Sequence, residues 1–170
     1  MDESHLWKII APMRGRTRDA REAALFKELK KLKPEELVEF DRIYHETLRD
    51  AYSWDLWGAG YVIICGCSDD AFTEFCNWLI SEGQSAFESA LTDPDSIADR
   101  SKIPMEDGRP WPMLPEADLI AGRLYSEKTS REMEFHSGIL EAPKGEKWAQ
   151  DPEVLKKRFP RTWKRFGGRH

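Results

Sequence analysis

Cysteine and histidine are scarce in this chain, with three and four copies among 170 residues. An odd number of thiols, two of them crowded as Cys65-Gly66-Cys67, makes a poor disulfide framework, so reduced cysteines are expected. Combined with Cys76 and a distant His45 or His136, these thiols still lack the C-x₂₋₄-C pairing of structural zinc motifs, and no metal site is expected from them. Their simpler role is as small buried apolar residues. No apolar run approaches the roughly 18 residues that span a bilayer, which excludes a transmembrane helix. The start, Met1-Asp2-Glu3-Ser4-His5, has neither the basic nor the apolar stretch of a secretory signal, so cytoplasmic residence without membrane association is expected. Gly-rich phosphate loops, a Rossmann fingerprint and a Ser-His-Asp signature are all missing, and no cofactor is expected.

What the chain does contain is charge and enough apolar residues to fold. Charged residues make up 34% and hydrophobic ones 40%, the balance of a folded protein with a heavily solvated surface. The length suits one domain plus a tail, since domains are most often about 100–150 residues long. A core of that size buries about 68–70% of the unfolded surface and needs neither metal nor disulfide. Charge is unevenly placed. Residues 144–170 hold nine Lys/Arg against three Asp/Glu, an excess of +6 that leaves −11 on the first 143 residues when the whole chain carries −5. The expected organisation is an acidic helical domain over residues 1–143 with a basic C-terminal arm, residues 144–170, packing on it.

Hydrophobic spacing predicts an all-α domain of about five to six helices. Leu25, Leu29 and Leu32 mark one face of a helix over residues 17–32. Pro34 suits a first helical position, and Leu37, Phe40, Tyr44, Leu48, Ala51 and Tyr52 form the clearest amphipathic stripe in the chain. Residues 54–67 are nearly all apolar and read as a buried helix, with a short strand over residues 61–64 as the alternative. Ser68 reads as the cap of a further helix carrying Phe72, Phe75, Cys76, Leu79 and Ile80, which Gly83 kinks or divides. Residues 101–115, with prolines at 104, 110, 112 and 115, form a loop too long to be a mere connection. Helices are then predicted over residues 116–127 and, from the Asp151-Pro152 cap, through Phe159.

Trp54-Asp55-Leu56-Trp57-Gly58-Ala59-Gly60-Tyr61, followed by Gly66-Cys67-Ser68-Asp69-Asp70-Ala71-Phe72 and Trp78-Leu79-Ile80, resembles an uncharacterised bacterial family known only as a domain of unknown function. The resemblance extends through Phe40-Asp41 and Asp93-Pro94-Asp95-Ser96. It covers residues 5–125 and brings no activity with it. Two positions depart from the pattern: Cys65 stands where glycine is expected, and Cys76 where arginine is expected.

These residues define the candidate site. Trp54, Trp57 and Tyr61 could line a ligand pocket in which Asp55 orients a polar or cationic group; packing into the core is the alternative. Asp69 and Asp70 could hold a divalent cation or supply acid/base chemistry, or they could simply cap a helix. Adjacent helical residues point about 100° apart, which argues against one shared ligand. The leading functional expectation is a non-enzymatic binding module that recognises a protein partner or small molecule through Trp54, Asp55, Trp57, Tyr61, Asp69 and Asp70. A metal-dependent hydrolase using the three aspartates is the alternative. A third possibility is nucleic-acid binding by the tail, where Lys156, Lys157, Arg158, Arg161, Lys164 and Arg165 are interleaved with aromatic residues. Against it stands docking of the same tail on the protein's own acidic surface.

Overall fold

A computed structural model describes residues 1–134 and 142–169; His136 lies outside the described residues. Among the described residues the fold is all-α apart from one two-stranded hairpin. Helix α1 (Glu3–Ile10) opens the chain, capped by the Asp2 carboxylate, which accepts from the His5 N–H at 2.9 Å. Leu6, Trp7, Ile9 and Ile10 of α1 are buried. Helix α2 (Arg18–Leu29) buries Arg21, Leu25 and Leu29, spaced four apart on one face. Helix α3 (Pro34–Ala51) begins at its proline, and the Glu36 carboxylate accepts from the Lys33 N–H at 2.7 Å, stopping the chain from fraying backwards.

Residues 54–64 are helical throughout, so the strand alternative is excluded. Helix α4 (Trp54–Ile64) is capped by the Ser53 hydroxyl and ends where Cys65 turns left-handed at φ 57°. A left-handed turn after a helix favours glycine, which gives a physical reason for expecting glycine at position 65. Ser68 caps helix α5 (Asp69–Ser81) by accepting from the Ala71 N–H. Gly83, at φ 95°, divides α5 from α6 (Gln84–Thr92). A 3-10 turn at Pro94–Asp99 follows.

The Pro-rich stretch is more ordered than a plain loop. Asp107 and Gly108 both adopt positive φ, 49° and 74°, and join β1 (Met105–Glu106) to β2 (Arg109–Pro110). An Asp-Gly pair with both residues at positive φ is the favoured two-residue hairpin turn. The residues after it turn inward, burying Met113 and Leu114. Helix α7 (Ile120–Thr129) packs along α3, and α8 (Pro152–Arg158) and α9 (Pro160–Phe166) close the chain.

A buried polar chain pins these layers together. Tyr44 of α3 donates to the Asn77 side-chain oxygen at 3.0 Å, and the Asn77 amide donates to the Leu114 carbonyl at 3.1 Å and to Asp118 at 2.8 Å. Tyr44 and Asn77 are both partnered in this chain of bonds, so the network orients α5 instead of destabilising it. No helix among the described residues is long and apolar enough to cross a membrane.

Candidate functional site

The expected aromatic residues do gather, but into a packed seam. Trp54 stacks on Trp57 with ring centroids 5.2 Å apart, and Trp57 lies parallel to Phe72 at 4.9 Å. The Trp57 indole N–H donates to the Cys67 carbonyl at 2.9 Å. Trp148 covers this seam from outside: it contacts Tyr61 at 4.6 Å, meets Trp54 edge-on, and donates its indole N–H to the Trp54 carbonyl at 2.9 Å. The Lys147 ammonium sits 4.8 Å from the Trp54 ring. Gly58 of α4 is what allows the close approach, since a Cβ there would stand 2.6 Å from ring atoms of both Phe159 and Trp148.

Asp55 has a partner in the C-terminal arm, whereas Asp69 and Asp70 share one exposed helix turn. Asp55 pairs with Arg158, whose Nη2 lies 2.6 Å away. Asp69 and Asp70 are exposed in the first turn of α5, where they complement the positive end of the helix dipole. Among the described residues, no three His, Cys, Asp or Glu side chains converge as a metal site would require. Burial pushes the Cys67 thiol up to about 12, the nearby Asp69 carboxylate adding to the shift, and burial raises Cys76 well above its ordinary value. Both thiols are therefore protonated at neutral pH and weakly nucleophilic.

Basic residues of the tail are divided between docking and solvent. Arg158 holds Asp55, Arg161 reaches Asp93, Asp95 and Asp99, and Arg165 donates to the Ala98 and Arg100 carbonyls. Lys156, Lys157 and Lys164 are exposed.

A wide cleft lies elsewhere, and of its lining the sequence pointed only to Arg165 and to the Pro-rich stretch 101–115. It encloses about 1310 Å³ where the turn before α2, the end of α5, the segment around the hairpin and the end of α9 meet. Seven basic residues line it against three acidic ones. Arg14, Arg16, Arg18, Lys102 and Arg165 are exposed, Arg100 is half-buried and Arg21 is buried. Arg21 and Arg100 both bind Glu82, and Arg21 also donates to the Ser81 hydroxyl at 2.6 Å and the Arg16 carbonyl at 2.8 Å. These bonds fix the floor. At the mouth Arg18 is loosely held, 3.6 Å from Asp19 and 3.7 Å from Glu106, while Arg16 donates to the Pro12 carbonyl at 2.6 Å, a bond that leaves its charge unneutralised. A further signal available in the sequence was Arg14-Gly15-Arg16-Thr17-Arg18, with three arginines in five residues.

A carboxylate on α5 makes the electrostatics testable. Burial first, then the Asp70 and Asp118 carboxylates, hold Glu74 above its ordinary 4.5. A carboxyl whose pKa is raised on folding stabilises the fold below its unfolded pKa, and that contribution is lost as pH rises through the folded value. Glu74→Gln is expected to be more stable than wild type at pH 7, by less than about 1 kcal/mol because solvent screens a half-buried group. The difference should close as pH falls to 4.5 and below, measured by urea unfolding across a pH series.

Fold and cleft together define a mainly α-helical domain with an arginine-rich surface cavity. A family model described as a protein of unknown function, DUF4240, matches residues 1–127, and the chain belongs to that family. None of the curated proteins matches it, and none of the solved structures does.

Proposed function

We propose that the protein is a non-enzymatic binding module whose ligand is anionic and sits in the arginine-lined cleft. The observation that carries this reading is the reversal of sign: a chain of net charge −5 gathers seven basic residues against three acidic ones around one cavity. A concave wall of one sign focuses its field and raises the local concentration of counter-ions. Among the described residues Arg14 and Lys102 have no carboxylate partner and Arg18 only distant ones, so their charge is available to a ligand. The aromatic segment around Trp54 and Trp57 then serves as the seat of the C-terminal arm, which brings Arg165 and Phe166 into the cleft wall. We take the protein to act in a bacterial cytoplasm, which the three free thiols suit, and the motif stretches around Trp54, Ser68 and Trp78 to be its family's signature.

Thermal unfolding with inorganic pyrophosphate tests the reading. Wild type should be stabilised in proportion to the logarithm of pyrophosphate concentration. The triple variant Arg14→Gln, Arg16→Gln, Arg18→Gln should lose most of that shift while unfolding normally without the anion. An equal shift in both proteins, or none in either, would overturn it.

A further inference from the structure

The walls of the cleft are not only basic. Trp111 is 39% exposed and Met105 60% exposed, and both line the same cavity as Arg16, Arg18 and Lys102. They sit on opposite sides of the hairpin, tied by the Trp111 N–H donating to the Pro104 carbonyl at 2.8 Å. The exposed Trp111 indole, which lines the cleft together with the guanidinium groups, offers a flat apolar face to whatever the cations hold. At the floor, the Trp78 indole N–H and the Arg100 Nε–H are buried donors without an acceptor among the described residues. Buried donors are satisfied in nearly all folded proteins, and both of these belong to residues of the cleft wall.

We infer that the cleft takes a nucleotide unit, with phosphate oxygens on Arg14, Arg16, Arg18 and Lys102 and a base against Trp111. The inference rests on the anion-binding reading above and adds the chemical class. Guanidinium groups recognise phosphate through paired parallel hydrogen bonds, and each nucleobase has a π-face that stacks on tryptophan whatever its sequence. An acidic peptide would use the cations but leave the indole face uncovered. An excess of four positive charges in the lining is about the charge of a nucleoside triphosphate. The volume exceeds the roughly 300–1,000 Å³ of ordinary small-ligand pockets, so the space also admits a short stretch of single strand.

Calorimetric titration of the full chain with inorganic triphosphate, adenosine triphosphate and single-stranded oligoadenylates of increasing length tests this. Adenosine triphosphate should bind about tenfold more tightly than inorganic triphosphate, the order of one base stacked on an aromatic side chain. Trp111→Ala should erase that advantage and leave inorganic triphosphate unchanged; because the residue is exposed, the variant should fold, as its unfolding curve would confirm. Affinity that climbs with oligonucleotide length assigns the unit to a strand, and affinity already complete with the mononucleotide assigns it to a free nucleotide. Equal binding of the two triphosphates to wild type would overturn the nucleotide assignment while leaving the anion reading intact. If neither binds, both fall. A base advantage that survives Trp111→Ala would remove Trp111 from the site and overturn the inference as stated.

Discussion

Replacing Asp95 with alanine is expected to cost on the order of 3–5 kcal/mol and to release the C-terminal arm. Asp95 is buried in the 3-10 turn before the hairpin segment, yet it caps a helix more than sixty residues away. Its two oxygens accept from the Arg161 N–H at 2.9 Å and the Thr162 N–H at 2.8 Å, in the first turn of α9. Burial pushes the Asp95 carboxyl up, but the hydrogen bonds from the Thr162 and Arg161 backbone outweigh it and hold the group below its ordinary 3.8. A carboxylate with a depressed pKa stabilises the fold above the unfolded value, and that contribution is lost as pH falls through the folded value. Alanine leaves two backbone donors without acceptors, one of them on Thr162, which is fully buried. Arg161 is not stranded by the change, because Asp93 and Asp99 still hold it at the surface. Asp95→Ala should therefore unfold at much lower urea, be cut by trypsin in the arm, and differ least from wild type in acid. Asp93→Ala, which removes only an exposed partner of Arg161, should change stability little. Comparable losses in the two variants would show that surface charge, not the cap, holds the arm.

Gly58→Ala should destabilise the protein although it replaces glycine within a helix, a change that by propensity alone favours folding by about 1 kcal/mol. The new methyl group would stand 2.6 Å from Phe159 and Trp148. Neither ring is free to move aside: Phe159 is 2% and Trp148 5% exposed, and Trp148 is held by its bond to the Trp54 carbonyl. Overpacking of this kind costs roughly 1–3 kcal/mol, and two crowded rings put the site at the upper end, so a net loss of about 2 kcal/mol is expected. Phe159→Ala should relieve part of it, so that the double variant is less destabilised than the sum of the single changes. Purely additive effects in that cycle, read by urea unfolding, would mean that the arm does not press on Gly58.

The all-α class was legible because the apolar spacing is long and regular, above all in α3, and because Ser68 and Pro34 announce their helices. Helix α1 went unread: at eight residues it offers little periodicity, and its Asp2 cap and apolar face are plain only once Leu6 and Ile10 are seen buried. The hairpin was hidden among prolines that read as loop, although Asp107-Gly108 carried its turn. Helical spacing puts Trp54, Trp57 and Tyr61 forward either as the lining of a ligand pocket or as core, and in the structure these rings pack on one another and on Phe72 and Trp148. Spacing within one helix could not tell that Trp148 and Phe159, about a hundred residues on, would cover the face.

The sequence by itself determined that these residues make amphipathic helices with caps, that the thiols lack a disulfide framework, and that the tail is basic while the body is acidic, because each of these depends only on neighbours along the chain. Tertiary structure alone decided where charge collects. Arg14, Arg16 and Arg18 are separated from Arg100, Lys102 and Arg165 by acidic segments, and a count along the chain averages them away. Coulomb interaction follows distance in space, and folding places these cations around one cavity while pairing Asp55 with Arg158 and leaving Asp69 and Asp70 exposed at the start of α5.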